Sequence, residues 1–347
     1  MNRCEKLYKE MEVMGLDALI ITDRANVYYF SGFSGSAGYL VITPSQKMLI
    51  TDFRYMEQAQ LQAKDFDIIN ITDFDISDYI TDAMKTGFEN VSIMYSDYIR
   101  FADRVKNLVA VDTMLTDIRA LKDEYEISCI EKAAHIADMA FDHIVSYIRE
   151  GMTERQVALE LEMFMKQKGA DGLSFDTIVA TGERGSLPHA EPGEGRICRG
   201  DLVVMDYGCK VGGYCSDMTR TVAMGDIDSK KLEVYNAVKK VQQECLEMVR
   251  PGAVCKEIHD YSSEVLNGLY RDCYGHGLGH GVGLEIHERP NLNTRNTGIL
   301  VPGNIITVEP GVYISGLCGV RIEDLVLVTD DGYRILSKST KELVKIQ

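Results

Sequence analysis

The pattern of apolar and polar positions in the first third of the chain predicts alternating strands and helices. Short apolar runs indicate strands, and apolar residues that recur every three or four positions indicate helices. The expected strands cover residues 17–22, 38–43, 48–52 and 91–95. The expected helices cover residues 54–63, 76–84 and 98–108. This alternation is typical of an α/β domain.

A different pattern begins after this region. Apolar side chains from Ile130 to Ile148 recur every three or four positions, which indicates one face of a long amphipathic helix. Thr153, with Gln156 three residues later, forms a capping-box pattern for the next helix, over residues 154–168. The change of pattern predicts two domains, residues 1–117 and residues 118–347.

The same order of elements recurs further along the second domain. Residues 231–249 and 256–269 again predict two helices, followed by a glycine-rich region. Gly151 and Gly252, which follow the first helix of each pair, lie 101 positions apart. Helix pairs resemble one another by chance, so this offset suggests two related halves only if other features repeat with it.

Each half contains an apolar strand that leads to an acidic residue. In the first half, residues 202–205 precede Asp206, and the chain returns to Asp217. A turn centred between Val211 and Gly212 places the two carboxylates opposite each other, with Cβ atoms about 4.5–5.5 Å apart. Two solvated residues beside a turn are the simpler interpretation. Asp206 argues against it, because it ends a continuous apolar strand and buried carboxylates need partners.

The second half repeats this arrangement. An apolar run leads to Glu309, and a turn centred on Gly316 places Glu309 opposite Glu323. The corresponding acids of the two halves are 103 and 106 positions apart, close to the offset of the helices. Pseudo-symmetric halves would bring the four carboxylates to one centre. There they would repel one another unless cations lay between them.

A glycine-rich segment between the two acidic hairpins, residues 274–288, contains three of the seven histidines. It fits neither the G-x-G-x-x-G dinucleotide fingerprint nor the HExxH zinc motif. We expect these three near a ligand, namely His276, His280 and His287. We expect solvated positions for the histidines in helical patterns, namely His135, His143 and His259.

One imidazole and four carboxylates form an oxygen-rich ligand set. Such a set suits two divalent ions of the manganese type better than a thiolate-bound zinc. Two ions about 3.5–4 Å apart can share a water, lower its pKa and present hydroxide to a polarised carbonyl. The sequence therefore predicts hydrolytic chemistry.

Composition and charge narrow the range of partners. The chain has 53 acidic and 37 basic residues and a formal charge of −16, which would repel nucleic acid and anionic membranes. It contains no apolar run near the roughly 18 residues of a membrane span and no signal-peptide pattern, so we expect a cytoplasmic protein. Its nine cysteines include no CxxC pair, so we expect neither a disulfide framework nor a thiolate zinc site.

The acidic and histidine motifs together resemble the creatinase/aminopeptidase P/prolidase group, metallopeptidase family M24. The resemblance covers the whole second domain and rests on the segments MDYG, SDMTRT, GHGLGHGVGLEIHE, TVEPGVYI and RIED. It implies an α+β fold, with a pita-bread catalytic domain after a smaller α/β creatinase-like N-terminal domain. It also implies a homodimer in which the N-terminal domain forms one wall of the cleft.

The resemblance implies a ligand for each metal ion. Asp206 would hold one ion, and His280 with Glu309 would hold the other. Asp217 and Glu323 would bridge both. Manganese is the expected metal, with cobalt or zinc as alternatives.

The resemblance also implies roles in binding and proton transfer. His189 matches a substrate-side histidine, and His276 with His287 matches the pair that holds substrate and stabilises the tetrahedral intermediate. Glu309 would handle protons for the water and the leaving nitrogen. Arg321 would orient a carboxylate ligand, although a surface arginine is the simpler interpretation of that position.

The implied activity is hydrolysis of the Xaa-Pro bond at the N-terminus of a proline-containing peptide. The stretch SGFSGSAGYLVIT, followed by TDFRYMEQA, favours the aminopeptidase P type over prolidase, the Xaa-Pro dipeptidase, which is the alternative. A non-catalytic peptide-binding relative is disfavoured because such proteins usually lose metal ligands. Methionine aminopeptidases typically lack the N-terminal domain, and a nicotinamide-dependent dehydrogenase would need a fingerprint loop.

Overall fold

The structure, a computed structural model, describes residues 3–347. The chain divides into two compact units, the first extending to Arg119 and the second beginning at Ala120. No helix in the described range is both long and apolar enough to span a bilayer.

The first unit combines helices with a six-stranded sheet in the order β4-β3-β2-β1-β5-β6. Strand β2 pairs antiparallel with β1 and β3, and the remaining pairs are parallel. The helices are α1 (Arg3–Met14), α2 (Arg24–Ser31), α3 (Met56–Gln62), α4 (Tyr95–Ala102) and α5 (Met114–Ala120). The strands are β1 (Ala18–Ile21), β2 (Tyr39–Ile42), β3 (Lys47–Thr51), β4 (Asp67–Asn70), β5 (Thr86–Phe88) and β6 (Leu108–Ala110).

One expected strand and one expected helix of this unit are wrong. Residues 91–94 form a turn and a short link to α4, which begins at Tyr95. Val91 is 75% exposed, so it is not buried in the sheet as a strand residue would be. Residues 76–84 form only a short 3₁₀ turn, Ile76–Asp78. The Asp75 side chain accepts a backbone N–H two residues later, and such local bonds compete with helix propagation.

Other elements of the first unit are shifted or were missed. The helix expected over residues 98–108 is α4, which begins and ends earlier, and Leu108 starts strand β6. Helix α2 was missed, although the sequence contains its caps: the Asp23 carboxylate accepts two backbone N–H groups, and Gly32 has a φ of +75°.

The second unit begins with the helix pair α6 (Glu124–Tyr147) and α7 (Glu154–Gln167). Both bonds of the expected capping box between Thr153 and Gln156 are present, which confirms the start of α7. The strands that follow are β7 (Gly172–Leu173), β8 (Ile178–Thr181), β9 (Leu202–Tyr207), β10 (Cys209–Val211), β11 (Tyr214–Cys215) and β12 (Met218–Met224).

A second helix pair opens the rest of this unit: α8 (Ser229–Met248) and α9 (Cys255–Leu269). The strands after it are β13 (Gly279–Gly281), β14 (Glu288–Leu292), β15 (Ile305–Val308), β16 (Gly311–Ile314), β17 (Cys318–Arg321), β18 (Asp324–Val328), β19 (Tyr333–Ile335) and β20 (Lys345–Ile346). In both halves, two helices therefore precede an outer strand pair with a smaller hairpin at its tip.

Each half buries its helices against its own sheet. In the first half, Ile144 of α6 and Leu161 of α7 share a core with Val203 of β9, in the sheet β20-β12-β9-β8. In the second half, Val238 of α8 shares a core with Ile306 of β15, in the sheet β14-β13-β15-β18-β19. The acidic residues lie near the point where each outer strand pair meets its smaller hairpin.

Candidate metal centre

Four carboxylates and one imidazole meet in one cleft of the second unit. They come from five places in the fold: Asp206 in β9, Asp217 just before β12, His280 in β13, Glu309 just after β15 and Glu323 just before β18. The sequence-based prediction that the acids share a centre agrees with this placement.

The pairing expected in the first hairpin is wrong. Gly212 and Gly213 have φ values of +59° and +82°, and the strand register centres the turn between them, one position later than expected. Thr219, not Asp217, is therefore paired with Asp206. Asp217 lies two positions before Thr219, and side chains two apart in a strand point to the same face, so it still reaches the cleft.

The second hairpin keeps the register expected from a turn centred on Gly316. The outer ladder ends with the pair Val308 and Asp324, and the inner ladder continues in the same register. Glu309 and Glu323 lie in the gap between the two ladders, on opposite strands. The register on either side of the gap makes their positions directly opposed.

His280 joins the acids of both halves. Its Nε2 lies 3.3 Å from Glu309 Oε1 and 3.6 Å from Asp217 Oδ2. One ligand atom each of Asp217, His280 and Glu323 lie within 4.8 Å of one another. His280 Nδ1 is 3.1 Å from the carbonyl of Gly281 and donates to it, which leaves Nε2 as the ligand atom.

Two buried carboxylate oxygens in the cleft have no hydrogen-bond partner among the described residues. They are Asp206 Oδ1 and Glu323 Oε1. The other oxygen of each group is held: Asp206 Oδ2 accepts from Arg321 Nη2 at 2.6 Å, and Glu323 Oε2 accepts from the Thr219 hydroxyl at 2.7 Å. Because unpaired buried carboxylate oxygens are costly, each is well suited to bind a cation.

The pKa values of the acids also favour cation binding in the cleft. Burial raises the pKa of Asp206, and it raises those of Asp217 and Glu323 well above the ordinary range, aided by neighbouring carboxylates. Burial also opposes ionisation of Glu309, but the hydrogen bond and charge of His280 lower its pKa to about 2. Divalent cations would compensate the charge of the ionised acids, so the residues present fit a two-metal centre.

Arg321 lies within the cleft wall and is only 4% exposed, so the interpretation as a surface arginine is wrong. Besides its bond to Asp206, its Nε donates to the Thr219 hydroxyl at 3.0 Å. Its Nη1 donates to the Tyr313 hydroxyl at 2.8 Å. The guanidinium therefore holds one acid directly and a second, Glu323, through Thr219.

Tyr313 extends this network to His276. The His276 Nδ1 lies 2.8 Å from the carbonyl of Gly277 and donates to it, so its Nε2 accepts from the Tyr313 hydroxyl, 3.0 Å away. Burial lowers the pKa of His276, which favours this neutral form. Sequence reasoning missed Tyr313, although it lies in the same motif as Glu309, on the strand that follows.

The loop that carries His189 is anchored by a buried acid. Glu154, at the start of α7, is fully buried, and both of its oxygens lie 3.0 Å from Arg184 Nε. It also accepts the backbone N–H of Gly193 at 3.0 Å. The two contacts lie on either side of His189 in sequence, so they hold the loop that brings it to the cleft.

His287 lies beside the metal-binding histidine candidate. Its ring is 4.4 Å from that of His280 and nearly perpendicular to it. Burial lowers the pKa of His287, and the neighbouring His280 adds to the shift. His259, by contrast, is buried behind the cleft, where its Nδ1 accepts the backbone N–H of Leu278. The expectation of a solvated His259 is therefore wrong.

The cleft has a volume of about 500 Å³, the size of a small-molecule or short-peptide site. Its polar wall is the set of residues described above. The lining also includes three apolar side chains, Phe175, Ile178 and Ile286.

Comparison with known proteins decides the family. Residues 128–330 match the family model "Metallopeptidase family M24", and residues 3–121 match the "Creatinase/Prolidase N-terminal domain". The chain belongs to metallopeptidase family M24. This membership confirms the α+β pita-bread fold with its creatinase-like N-terminal domain, and it implies divalent metal ions.

Several relatives match this M24 chain along its whole length. A Xaa-Pro dipeptidase of Pyrococcus furiosus is 39% identical, with 99% of both chains covered. The structure of a Xaa-Pro dipeptidase from Bacillus anthracis has 38% identity and a TM-score of 0.93, covering 99% of this chain and 98% of that one. An X-Pro aminopeptidase structure from Thermotoga maritima has 34% identity and a TM-score of 0.88, covering 97% and 100%.

Proposed function

We propose that this M24 peptidase is a Xaa-Pro dipeptidase, which hydrolyses dipeptides with proline in the second position. The observation that carries the proposal is full-length similarity to proteins named Xaa-Pro dipeptidase, at 39% identity for the Pyrococcus furiosus relative and a TM-score of 0.93 for the Bacillus anthracis structure. These comparisons favour the alternative considered from the sequence over the aminopeptidase P type.

The proposed metal ligands are the five residues that converge in the cleft. Asp206 would hold one ion, His280 and Glu309 the other, and Asp217 and Glu323 would bridge them. Manganese suits the oxygen-rich set, with cobalt or zinc as alternatives. When bound, two divalent ions supply an activated water and polarise the scissile carbonyl.

Glu309 is the proposed proton carrier. Its carboxylate lines the cleft, and an ionised carboxylate there can accept a proton from the attacking water. The Thr307 hydroxyl donates to its Oε1 at 3.0 Å and fixes the carboxylate. The same group would then deliver the proton to the proline nitrogen as the peptide bond breaks.

The histidines of the cleft would bind the substrate. His189 and His287 can donate hydrogen bonds to the carbonyl oxygen as negative charge develops there. His276, which also lines the cleft, would hold the substrate together with His287, and its contact with the Tyr313 hydroxyl would fix the ring.

Aminopeptidase P activity is the second candidate, because the Thermotoga maritima X-Pro aminopeptidase has a similar fold at 34% identity. The two activities differ in whether the site accepts a residue after proline. Hydrolysis of Ala-Pro and Ala-Pro-Ala, by metal-stripped protein with and without added manganese, separates them. Ala-Ala serves as a matched peptide without proline, and Glu309→Gln as a matched variant.

We expect manganese-dependent cleavage of Ala-Pro, with the tripeptide and Ala-Ala left intact. Cleavage of the tripeptide after alanine would replace the dipeptidase proposal by aminopeptidase P. Cleavage of neither proline peptide by the manganese-loaded protein would contradict both.

A homodimer and a cytoplasmic location are also proposed, as expected from the sequence. Sedimentation at micromolar concentration should give twice the chain mass of 38.8 kDa, and a monomer would contradict the dimer. The domain boundary between residues 117 and 118 stays a prediction, which limited proteolysis followed by mass spectrometry would test.

A further inference from the structure

A buried ion pair lies beside the proposed substrate-binding histidine. Lys122 Nζ is 2.9 Å from Glu288 Oε2, and the two side chains are 0% and 3% exposed. The partners are 166 positions apart in sequence. Glu288 directly follows His287, which lines the cleft.

The Glu288 carboxylate is enclosed by its own hairpin. Its Oε1 accepts the backbone N–H of Glu285 at 3.1 Å. A Cβ added to Gly283 would come within 2.3 Å of the carboxylate, so a glycine is needed there. The backbone of Glu288 is paired with Gly281, the residue after His280. The orientation of this carboxylate is therefore coupled to the backbone around both histidines.

The segment around Lys122 is attached to the strand that leads to Glu309. The Lys122 backbone N–H donates to the carbonyl of Gly303 at 2.9 Å. The Asn304 side-chain amide donates to the carbonyl of Ala120 at 3.0 Å. Strand β15 begins at the next residue. These two bonds attach the backbone around Lys122 to the start of β15. The position of the Lys122 ammonium is therefore fixed relative to the strands that carry the proposed metal ligands.

Stability alone does not account for this pair. Burying two charges costs desolvation energy, and apolar or neutral replacements of similar volume are often as stable as the ion pair. Removal of one partner is harmful because the remaining charge stays buried without compensation. A pair in this place has a further effect, since it holds the first residue of β14, which directly follows His287.

We propose that Lys122 and Glu288 are positioning residues that hold the His287 imidazole where it meets the substrate carbonyl. The proposal rests on the proposed peptidase function of the cleft. Lys122 and Glu288 are not among the residues that line the cleft, whereas His287 is, so the effect of the pair on the reaction would pass through His287.

The first test compares single and double variants. Lys122→Met and Glu288→Gln should each lower the Tm, and the double variant should regain it because no charge is left buried. In the double variant, we expect kcat/KM for Ala-Pro to stay about 10–100-fold below wild type, as for other residues that orient active-site groups. Bound manganese per chain should not change.

A core variant controls for general destabilisation. Leu161→Ala removes a fully buried side chain of α7, in the core of the other half. At a temperature where all variants are folded, its kcat/KM should equal that of wild type. A double variant with wild-type Tm and wild-type kcat/KM would overturn the proposal, since the pair would then be purely structural.

A coupling test with His287→Ala identifies the group through which the pair acts. If the pair acts through His287, adding Lys122→Met and Glu288→Gln to His287→Ala should reduce kcat/KM by less than about twofold further. A full additional loss of about 10-fold would overturn the proposal, because the pair would then act elsewhere.

A spectroscopic measurement is independent of activity. In metal-free protein with ¹⁵N-labelled histidine, the ring signals of His287, assigned from His287→Ala, should shift in the double variant. Those of His143, which is bonded to Glu160 on another helix, should not move. An unshifted His287 signal overturns the positioning role. If wild type cleaves neither proline peptide, the proposed function fails, and this measurement still decides the position of His287.

Discussion

The two halves of the second unit share an order of elements but place their acids differently. In the first half, Asp206 lies within a continuous ladder and faces Thr219. In the second half, Glu309 and Glu323 lie in a gap between two ladders. The second half also supplies the imidazole. A repeated fold therefore does not give a repeated ligand geometry.

The difference arises at the turns. The two-residue turn at Gly212 and Gly213 moves the first hairpin by one position, so an acid faces a threonine. The second hairpin turns around Gly316, so Glu309 and Glu323 occupy directly opposed positions. In the first half, the residue opposite Asp206 is therefore Thr219, which contributes a hydroxyl and not a second carboxylate. That hydroxyl, on Thr219, holds the acid of the other half at 2.7 Å.

The halves are also joined directly behind the acids. Arg220 of β12 forms a buried ion pair with Asp324 of β18 at 2.7 Å, with both side chains 1% exposed. The same guanidinium donates to the backbone carbonyl of Glu323. The metal centre is therefore one unit built from both halves, and the following predictions test that view.

The largest effect is expected from removing an acid of either half. Asp206→Asn and Glu323→Gln should each lower kcat/KM by about 10³-fold, because each loses an oxygen ligand of a centre that contributes several kcal/mol. Bound manganese, measured by elemental analysis, should fall in both. The exposed Asp226→Asn is the control, since its side chain is 94% exposed and pairs with Lys345. Near-wild-type activity in one variant would show that the halves do not share one centre.

A smaller loss is expected at the hydroxyl that connects the halves. Thr219→Val removes the bond to Glu323 and the acceptor for Arg321 Nε, so kcat/KM and manganese affinity should fall about 10–100-fold. Thr221→Val is a matched control on the same strand, because its buried hydroxyl bonds to the backbone of Arg321 and, within residues 3–347, to no carboxylate. Equal losses in both variants would mean that packing, not the carboxylate contact, matters.

The next prediction concerns stability and pH. The raised pKa values of Asp217 and Glu323 mean that the metal-free folded state binds more protons than the unfolded chain above about pH 4. Their contribution to stability is present at low pH and is lost as pH rises. The lowered pKa of Glu309 acts in the opposite direction, but only below its ordinary range near pH 4. The lowered pKa values of His276 and His287 also act in the opposite direction, but only up to their ordinary value near pH 6.5. Metal-free protein should therefore become less stable between about pH 6.5 and pH 8.

Scanning fluorimetry with and without manganese measures this effect. The difference in Tm between loaded and metal-free protein should grow by about 5 °C over that pH range. In Glu323→Gln the growth should be smaller, because one of the raised groups is absent. A difference that shrinks as pH rises would contradict the assignment of these acids as the charge that the metal balances.

Much of this site could be predicted from the sequence because its acids end apolar strands. That pattern located Asp206 and Glu309 without a structure. The glycine-rich segment indicated three histidines, and only the family resemblance singled out His280 among them. The register of the first hairpin could not be predicted in the same way. A shift of one position at a glycine pair changes which residue faces Asp206, and apolar alternation does not specify where a two-residue turn is centred.

The residues that sequence reasoning missed act through distant contacts. Thr219 and Tyr313 look like ordinary strand residues, and only the fold shows that both bond to Arg321. The pairing of Lys122 with Glu288 spans 166 positions. In the first unit, the apolar spacing at residues 76–84 matched a helix, but local side-chain bonds determined the backbone.

The smallest effect is expected at the turns that make the halves different. Gly316 has a φ of +71° and open space where a Cβ would lie, so Gly316→Ala should cost only backbone strain, about 1 kcal/mol or 2–4 °C in Tm. Gly212 has a φ of +59°, and a Cβ there would lie 2.9 Å from Cys129 Sγ. Gly212→Ala should therefore cost more, because the buried thiol on α6 must also move.

A second substitution separates strain from crowding. Adding Cys129→Ala to Gly212→Ala should recover part of the lost Tm, since it removes the crowded sulfur. The same addition to Gly316→Ala should only lower the Tm further, because no clash exists there to relieve. Equal Tm losses in the two single glycine variants would show that positive φ alone determines the cost. In that case the contact with α6 would not be what fixes the turn of the first half, and the difference between the two hairpins would lie in their loop lengths.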